Sequence, residues 1–581
     1  MQGLQFQTAT APVRSDPARA DIACFVGFVA PRQRGAAQRA RLEGALRALG
    51  WNGPSLPSAS RVLPDSVLPS GDTPGAFPHW LESQGWRPDS NAVAAVDLFR
   101  RAAADAMTGA VVDWWVDNGW LSPFSARSAA DLLELADVPV PIDTWDAFDA
   151  LFAWDRRPLV EGRLADTTLG AAIRRFFLHG GRKCYVVRVD DPWPLFIDAT
   201  GRANNRARLF RTTPEPTPAD RSSWRGVGHV LGLTDVSFLC IPDLPDLFAV
   251  DSPAIAPERA VEGEERFVEC ADRTALPTSR TLRAFPAPRC DEGGFQNWAS
   301  FVVSIGSFLE RRAREIQFIA ALPLGSAPTV SSPVAQWDAA ASIQTAFVQL
   351  VYPWLLTPES SLLPGAVEPP DAMLAGLLAS NALTLGTWRT AARDAVSGLI
   401  GLEPVLATSQ LERPLSYRGP VGERRLARTL RERISVFTPT ATGFQLLSDV
   451  TTDDDEAYRP ANVNRLIASI ARAARLLGED IVYMNNGEAV WRRLQSALEE
   501  LFLGLWGEGA LAGGSSSEAF EVRCDRSTIT QADLDAGRVI ARVQFLAASP
   551  VERITVVFAM DEGGQVSLLT PLAAAPLEAS A

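Results

Sequence analysis

Apolar residues recur at Val463, Leu466, Ile467, Ile470, Ala474 and Leu477. This i, i+3, i+4, i+7 rhythm predicts a helix with one buried face, and Gly478 follows as the expected C-terminal cap. Residues 481–484, Ile-Val-Tyr-Met, predict a short buried strand. Asn485 and Asn486 each offer a side-chain oxygen to cap the next helix, whose apolar stripe is Val490, Trp491, Leu494, Leu498, Leu501, Phe502 and Leu505. Gly507, Gly509, Gly513 and Gly514 then break the chain. Residues 519–525 predict a strand running into a turn at 526–528. A short polar segment occupies 529–537, and strands are expected over 538–546 and 554–558, which completes a compact α+β unit.

The upstream pattern is different. In residues 1–19, Leu4 and Phe6 alternate with glutamines before Pro12, Asp16 and Pro17 interrupt, so the segment predicts an extended arm. Residues 20–30, which include Phe25 and Gly27, predict a first strand. Helical spacing follows over 37–49 and 92–115, separated by a Pro/Ser-rich loop at 54–74. Trp80, Trp86, Trp114, Trp115 and Trp120 cluster in this region; they form either a surface patch for a partner or glycan, or the region's own core, since each ring buries a large apolar area. Leu169, Ile173, Phe176 and Phe177 mark a helix that Gly180 and Gly181 stop, and the run 184–189, with Tyr185 and Arg188, predicts a buried strand. Short apolar strands alternating with helices in this way predict an open α/β sheet.

A chain of 581 residues with 47% apolar and 21% charged residues has the composition of a folded protein of about three or four domains. The formal charge of −13 and the lack of a dense basic cluster argue against nucleic-acid binding. Lysine occurs once, at Lys183, and a GC-rich genome accounts for the arginine bias. No basic start followed by an apolar run marks a secretory signal. The uncharged stretch 372–388 is too polar for a membrane span and predicts a buried helix. Cys24, Cys184, Cys240, Cys270, Cys290 and Cys524 show no C-x-x-C spacing, which fits a reducing cytosol.

Candidate chemistry is sparse. Only His79, His179 and His229 are present, without a G-x-S-x-G elbow, an H-E-x-x-H motif or Cys/His metal spacing. Lys183 follows Gly180-Gly181 but the phosphate-cradling P-loop is missing. Asp453, Asp454, Asp455 and Glu456 offer oxygen ligands for a hard cation or form a solvated loop. We expect no active site, no cofactor and no metal.

Four ordered motifs in the C-terminal unit resemble the C-terminal domain of contractile tail sheath proteins. The N-V-x-R-L helix corresponds to Asn462, Val463, Arg465 and Leu466; the W-centred helix ending in L-W-x-x-G-A-L to Trp491, Trp506 and residues up to 511. The E-x-F-x-V-R-C-D strand matches residues 518–525, with Arg523 and Asp525, and T-x-x-D-x-x-x-G-R matches residues 530–538. Upstream, Phe25 and Gly27 lie in a strand similar to the family's A-A-F-V-G-F. Residues 168–189, with Gly180, Gly181, Tyr185 and Arg188, resemble its F-F-x-N-G-G-x-x-C-Y-V-V-R-V, with His179 in place of Asn. Residues 138–154, 227–246, 320–324, 352–354 and 369–388 match further landmarks, with Asp371 and Ala372 replacing Ser-Gly in the last.

The resemblance covers residues 20–30 and 138–560. It implies a subtilisin-like α/β sheath domain without a triad (138–430, with the first strand at 20–30), a C-terminal α+β sheath domain (431–560), an inserted, mostly helical and outward-facing domain (31–137), and arms at 1–19 and 561–581. It also implies a non-enzymatic subunit that polymerises with itself around an inner tube protein, between baseplate and tail terminator proteins, and contracts on stored lattice energy rather than nucleotide. Assembly is expected in the bacterial cytoplasm, for a phage tail or a released injection particle. Leu4, Phe6, Val566, Leu568 and Leu569 are the candidate arm residues that add a strand to a neighbour's sheet. Three departures stand out: residues 425–430 lack the Trp and Gly of W-G-A-R-T-L, the following loop is long and acidic, and the amino terminus lacks P-G-V-Y-I-E-E. A non-contractile paralogue that caps the tail, and a degenerate hydrolase-like glycan binder, are the alternatives.

Overall fold

The computed structural model describes residues 19–32, 108–118, 120, 134–159, 164–194, 199–250, 286–325, 332–412, 414–418, 424–479, 487–535, 538–548, 554–560 and 566–569. Its principal elements, in chain order, are β1 (Ala23–Phe28), α1 (Thr108–Asp117), β2 (Pro139–Ile142), α2 (Thr168–Leu178), β3 (Cys184–Asp190), β4 (Phe238–Cys240), α3 (Glu292–Arg312), β5 (Gln317–Ala321), β6 (Val348–Tyr352), α4 (Asp371–Thr384), β7 (Ala395–Val396), β8 (Ser435–Thr440) and β9 (Gly443–Leu446). The C-terminal unit adds α5 (Ala461–Glu479), α6 (Glu488–Gly507), β10 (Phe520–Arg523), β11 (Val539–Phe545), β12 (Ile554–Met560) and β13 (Val566–Leu569).

β1 lies inside a nine-stranded sheet of order β7-β9-β8-β6-β5-β4-β1-β3-β2. It pairs in parallel with β3 on one side and β4 on the other, and the parallel run continues through β5 and β6 to β8. Antiparallel strands close both edges. All six residues of β1 are buried, as a parallel strand covered on both faces requires. Cys24, Val26 and Phe28 enter one core while Ala23 and Phe25 enter the other, the two-residue period of a strand. On the Phe25 face, α2 and α4 supply Ile173, Phe176, Leu374 and Leu378; on the opposite face α3 supplies Phe295, Trp298, Val302 and Ile305. Each such side chain contributes about 1.5–3 kcal/mol by leaving water.

The inserted region is described only near its end. There α1 packs on the sheet: Trp115 is buried and its Nε1 donates to the Pro139 carbonyl at 2.8 Å. Trp114 lies 5.2 Å from the Tyr185 ring, and Trp120 lies 5.5 Å from Trp224. These three tryptophans are therefore core residues of the main domain rather than a surface patch. Trp80, Trp86, most of the helix expected over 92–115, and the segments 37–49 and 54–74 lie outside the described residues.

In the C-terminal unit, α6 buries Val490, Trp491, Leu494, Leu498 and Phe502, and Phe502 meets Phe520 and Phe545 with ring centroids 5.5 Å apart in each pair. The sheet order is β10-β11-β12-β13, antiparallel throughout. Along β11, Val539, Ala541, Val543 and Phe545 are buried and Arg542 is exposed, so one face packs and the other is wet. Several expectations need correction. Gly478 does not end its helix, which runs on to Glu479; helix ends fray by a residue or two. The N-cap of α6 is Gly487, without a side-chain cap bond, rather than Asn485 or Asn486. The polar segment 529–537 contains a short helix, Gln531–Asp535, opened by Thr530 and Asp533, whose side chains bond each other's backbone N–H at 3.3 and 3.0 Å. The strand expected over 481–484 lies outside the described residues.

Candidate assembly site

The N-V-x-R-L residues of α5 fasten the C-terminal unit to the large sheet. Asn462 Nδ2 donates to the Trp388 carbonyl at 2.9 Å. Arg465 binds Asp449 through both terminal nitrogens, Nη1 to Oδ1 at 3.0 Å and Nη2 to Oδ2 at 2.7 Å, and its Nε reaches the Thr387 carbonyl. Asp449 also accepts from Gln349 Nε2 and from the Ala391 N–H, each at 2.9 Å. Burial pushes this carboxyl up, but the Arg465 guanidinium and the added donors outweigh it and hold Asp449 below its ordinary value. Further along α5, Arg472 donates to the Arg19 and Val236 carbonyls, and Arg475 grips both oxygens of Glu315 at 2.8 and 3.0 Å.

The upstream motif residues shape the centre of the sheet. Phe25 is fully buried against Phe176. A Cβ on Gly27 would sit 2.4 Å from Asp243 Oδ2, the oxygen that accepts the Phe28 N–H. Gly180 takes φ +102° as the chain leaves α2, and a Cβ on Gly181 would strike the Phe176 ring at 2.2 Å. Tyr185 donates its hydroxyl to Asp235 at 2.9 Å, and Arg188 reaches the Val29 and Glu134 carbonyls. These residues are structural in this chain.

In the C-terminal unit, Trp491 is buried beneath Arg526, and Trp506 Nε1 donates to the Gly513 carbonyl at 3.1 Å. Arg523 is exposed on β10 beside Glu521, at 2.7 Å. Asp525 caps the following turn through the hydroxyl and N–H of Ser527, which hold its carboxyl below the ordinary value. Among the described residues β10 has a neighbour on one side only. Val566, Leu568 and Leu569 lie in β13, which pairs with β12 of the same chain. Leu4 and Phe6 lie outside the described residues.

His179, His229, Lys183 and the acidic loop are held by contacts within the chain. His229 is fully buried, 3.0 Å from Asp137 Oδ1 and 5.2 Å from the Trp120 ring. His179 bridges the Arg175 and Ser397 carbonyls, and Lys183 pairs with Asp235 at 3.0 Å. In the acidic loop, Asp453 and Asp455 accept the N–H groups of Asp455 and Ala457, and Asp454 pairs with Arg433 at 2.7 Å, so these carboxylates turn and anchor the chain. Among the described residues no helix is long and apolar enough to cross a membrane. Asp449 and the buried carboxyls Asp243 and Asp371, which burial pushes up to about 7, carry no local sequence signal.

No protein-family model matches the chain, and no curated protein does. Among solved structures it is similar to the helical sheath of the anti-feeding prophage in its contracted state, at 19% identity over 72% of this chain and 87% of that one, with a TM-score of 0.44. It is similar to the sheath complex of an extracellular contractile injection system, PVC, in its contracted state, at 17% identity over 71% and 84%, with a TM-score of 0.45. A sheath tail protein from Desulfitobacterium hafniense aligns at 13% identity over 45% and 60%, with a TM-score of 0.30. Solved structures that the chain is similar to include sheath proteins of contractile injection systems and a sheath tail protein.

Proposed function

We propose that the chain is a tail sheath subunit that polymerises around an inner tube. The observation that carries this reading is the position of the E-x-F-x-V-R-C-D motif: it falls on β10, an edge strand among the described residues. An edge strand presents a row of unpaired N–H and C=O groups that an arm from a neighbouring subunit can extend. With about five such bonds at roughly 0.5–1.5 kcal/mol each, one link is worth a few kcal/mol. Repeated through stacked rings, the links keep the lattice connected while it shortens.

In this reading 138–430 is the subtilisin-like sheath domain, 431–560 the C-terminal sheath domain and 31–137 an outward-facing insert, except that β8 and β9, which pair in the nine-stranded sheet, go with the first of these. Leu4 and Phe6 in one arm, and Val566, Leu568 and Leu569 in the other, are the candidate linking residues. Contraction draws on the energy difference between two lattices and needs no nucleotide. Baseplate, tube and terminator proteins are the partners, with assembly in the bacterial cytoplasm. A non-contractile capping subunit is the second reading, favoured by β13 pairing within its own chain and by the missing P-G-V-Y-I-E-E strand.

Negative-stain electron microscopy of the full-length chain and of a variant lacking residues 1–19 tests the proposal. Helical tubes that disappear on deletion support an arm-linked sheath. Monomers in both preparations would reject self-polymerisation and favour the cap.

A further inference from the structure

A cavity of about 250 Å³ opens between α5 and the N-terminal ends of β4, β5 and β6. Phe238, Phe347 and Ile467 give it apolar walls, and three guanidiniums and three carboxylates line it as well. Two of the guanidiniums are matched across the joint. Arg465 holds Asp449 with both terminal nitrogens, and Arg472 donates to the Arg19 and Val236 carbonyls and lies 3.6 Å from Glu315. Arg314 follows one wall, with its Nε on the Glu310 carbonyl and its guanidinium 6.0 Å from the centre of the Phe347 ring. The carboxylates are less evenly served. Arg475 takes up Glu315 at 2.8 and 3.0 Å. Asp453 is half-buried and, among the described residues, accepts only the Asp455 N–H, at 2.8 Å. Glu310 is exposed and its carboxylate has no partner among the described residues.

The hydrogen-bonding capacity left over at this cavity is therefore mostly that of acceptors. Glu310 stands in the last turn of α3, where the helix dipole favours positive charge, and the Tyr458 ring lines the same space as Asp453. A bare metal ion would leave the apolar walls uncovered, and a wholly apolar ligand would take water from the two carboxylates without replacing it. A planar cation on an apolar stem satisfies both demands, because a guanidinium forks onto carboxylates and stacks on aromatic faces while its methylenes cover apolar surface. Arg314 on Phe347 shows that one wall already accepts a guanidinium. We propose that this cavity binds an alkylguanidinium, the chemistry of an arginine side chain, with its stem along Phe238 and Ile467 and its head toward Glu310, Asp453 and Tyr458.

The binding is independent of whether subunits polymerise. Isothermal titration calorimetry of the full-length chain tests it, with N-acetyl-L-arginine amide as the probe and N-acetyl-L-norleucine amide as the uncharged comparison. Saturable binding of the arginine derivative is expected, about tenfold tighter than that of the norleucine one. Glu310→Gln changes an exposed side chain, and Asp453→Asn keeps an acceptor for the Asp455 N–H; each is expected to weaken binding about threefold. Equal binding of the two probes would overturn the proposal, as would binding that neither substitution changes, or no saturable binding to the unaltered chain. Sedimentation velocity with and without the arginine probe separates the two sources of such a group. Self-association that the probe reverses assigns the cavity to an arginine of another copy, and sedimentation that it leaves unchanged assigns it to a free guanidinium compound.

Discussion

Arg465 and Asp449 form a bidentate pair in which the carboxylate side chain is fully buried and the guanidinium is 4% exposed. Removing one partner leaves the other as an uncompensated buried charge. Arg465→Met or Asp449→Asn is therefore expected to lower stability by about 3–5 kcal/mol. The double variant Arg465→Met/Asp449→Asn should lose less than the two single losses together. Urea denaturation of the four proteins checks this, and a double variant as unstable as the sum of the singles would refute the pairing.

Stability is expected to fall as pH rises through the neutral range. Asp243 and Asp371 are buried, and burial pushes both from an ordinary 3.8 up to about 7. Between those values the folded chain binds more protons than the unfolded one, so the protonated form stabilises the fold and that contribution is lost as pH climbs. Asp449 is shifted the other way and loses its contribution only as pH falls below its ordinary 3.8, outside this window. Urea midpoints should be higher at pH 5.5 than at pH 8, and Asp371→Asn should flatten the difference. A midpoint that rises across the same interval would contradict the assignment.

Gly181 leaves no room for a side chain beside Phe176. Gly181→Ala is expected to cost about 1–3 kcal/mol by overpacking. Phe176→Leu should relieve part of the clash, so the pair should be more stable than the two single losses predict. Strict additivity in a double-mutant cycle would exclude this contact as the cause.

Deleting residues 561–581 removes β13 and leaves β12 as an unpaired edge seven residues long. Exposed edges of that length invite pairing with other chains. Light scattering on warming should start at a lower temperature in the truncated protein. An unchanged onset would show that β13 does not protect the sheet.

Strong periodicity was legible: Val463, Leu466 and Ile470 are all buried on α5, as their spacing requires, and the stripe of α6 runs from Val490 to Phe502. The α3 helix was not, because Gly293, Gly294 and Gly306 interrupt its pattern; at Gly306 a Cβ would approach Val348 to 3.0 Å, so tertiary packing sets that residue. Arg465 could be singled out from its motif, but its partner could not. Asp449 lies 16 residues earlier in a polar stretch that looks like a solvated loop. Ion pairs formed by folding leave no local spacing to read.

The three guanidiniums of Arg465, Arg472 and Arg475 have a mechanical consequence. Each passes from one helix of the C-terminal unit to a carboxylate or carbonyl of the sheet domain, so a force applied to that helix loads three charge-assisted bonds side by side. Such a joint resists hinging, because no one of the bonds can lengthen without the others. The helix and the strands beneath it therefore transmit a pull as one stiff piece.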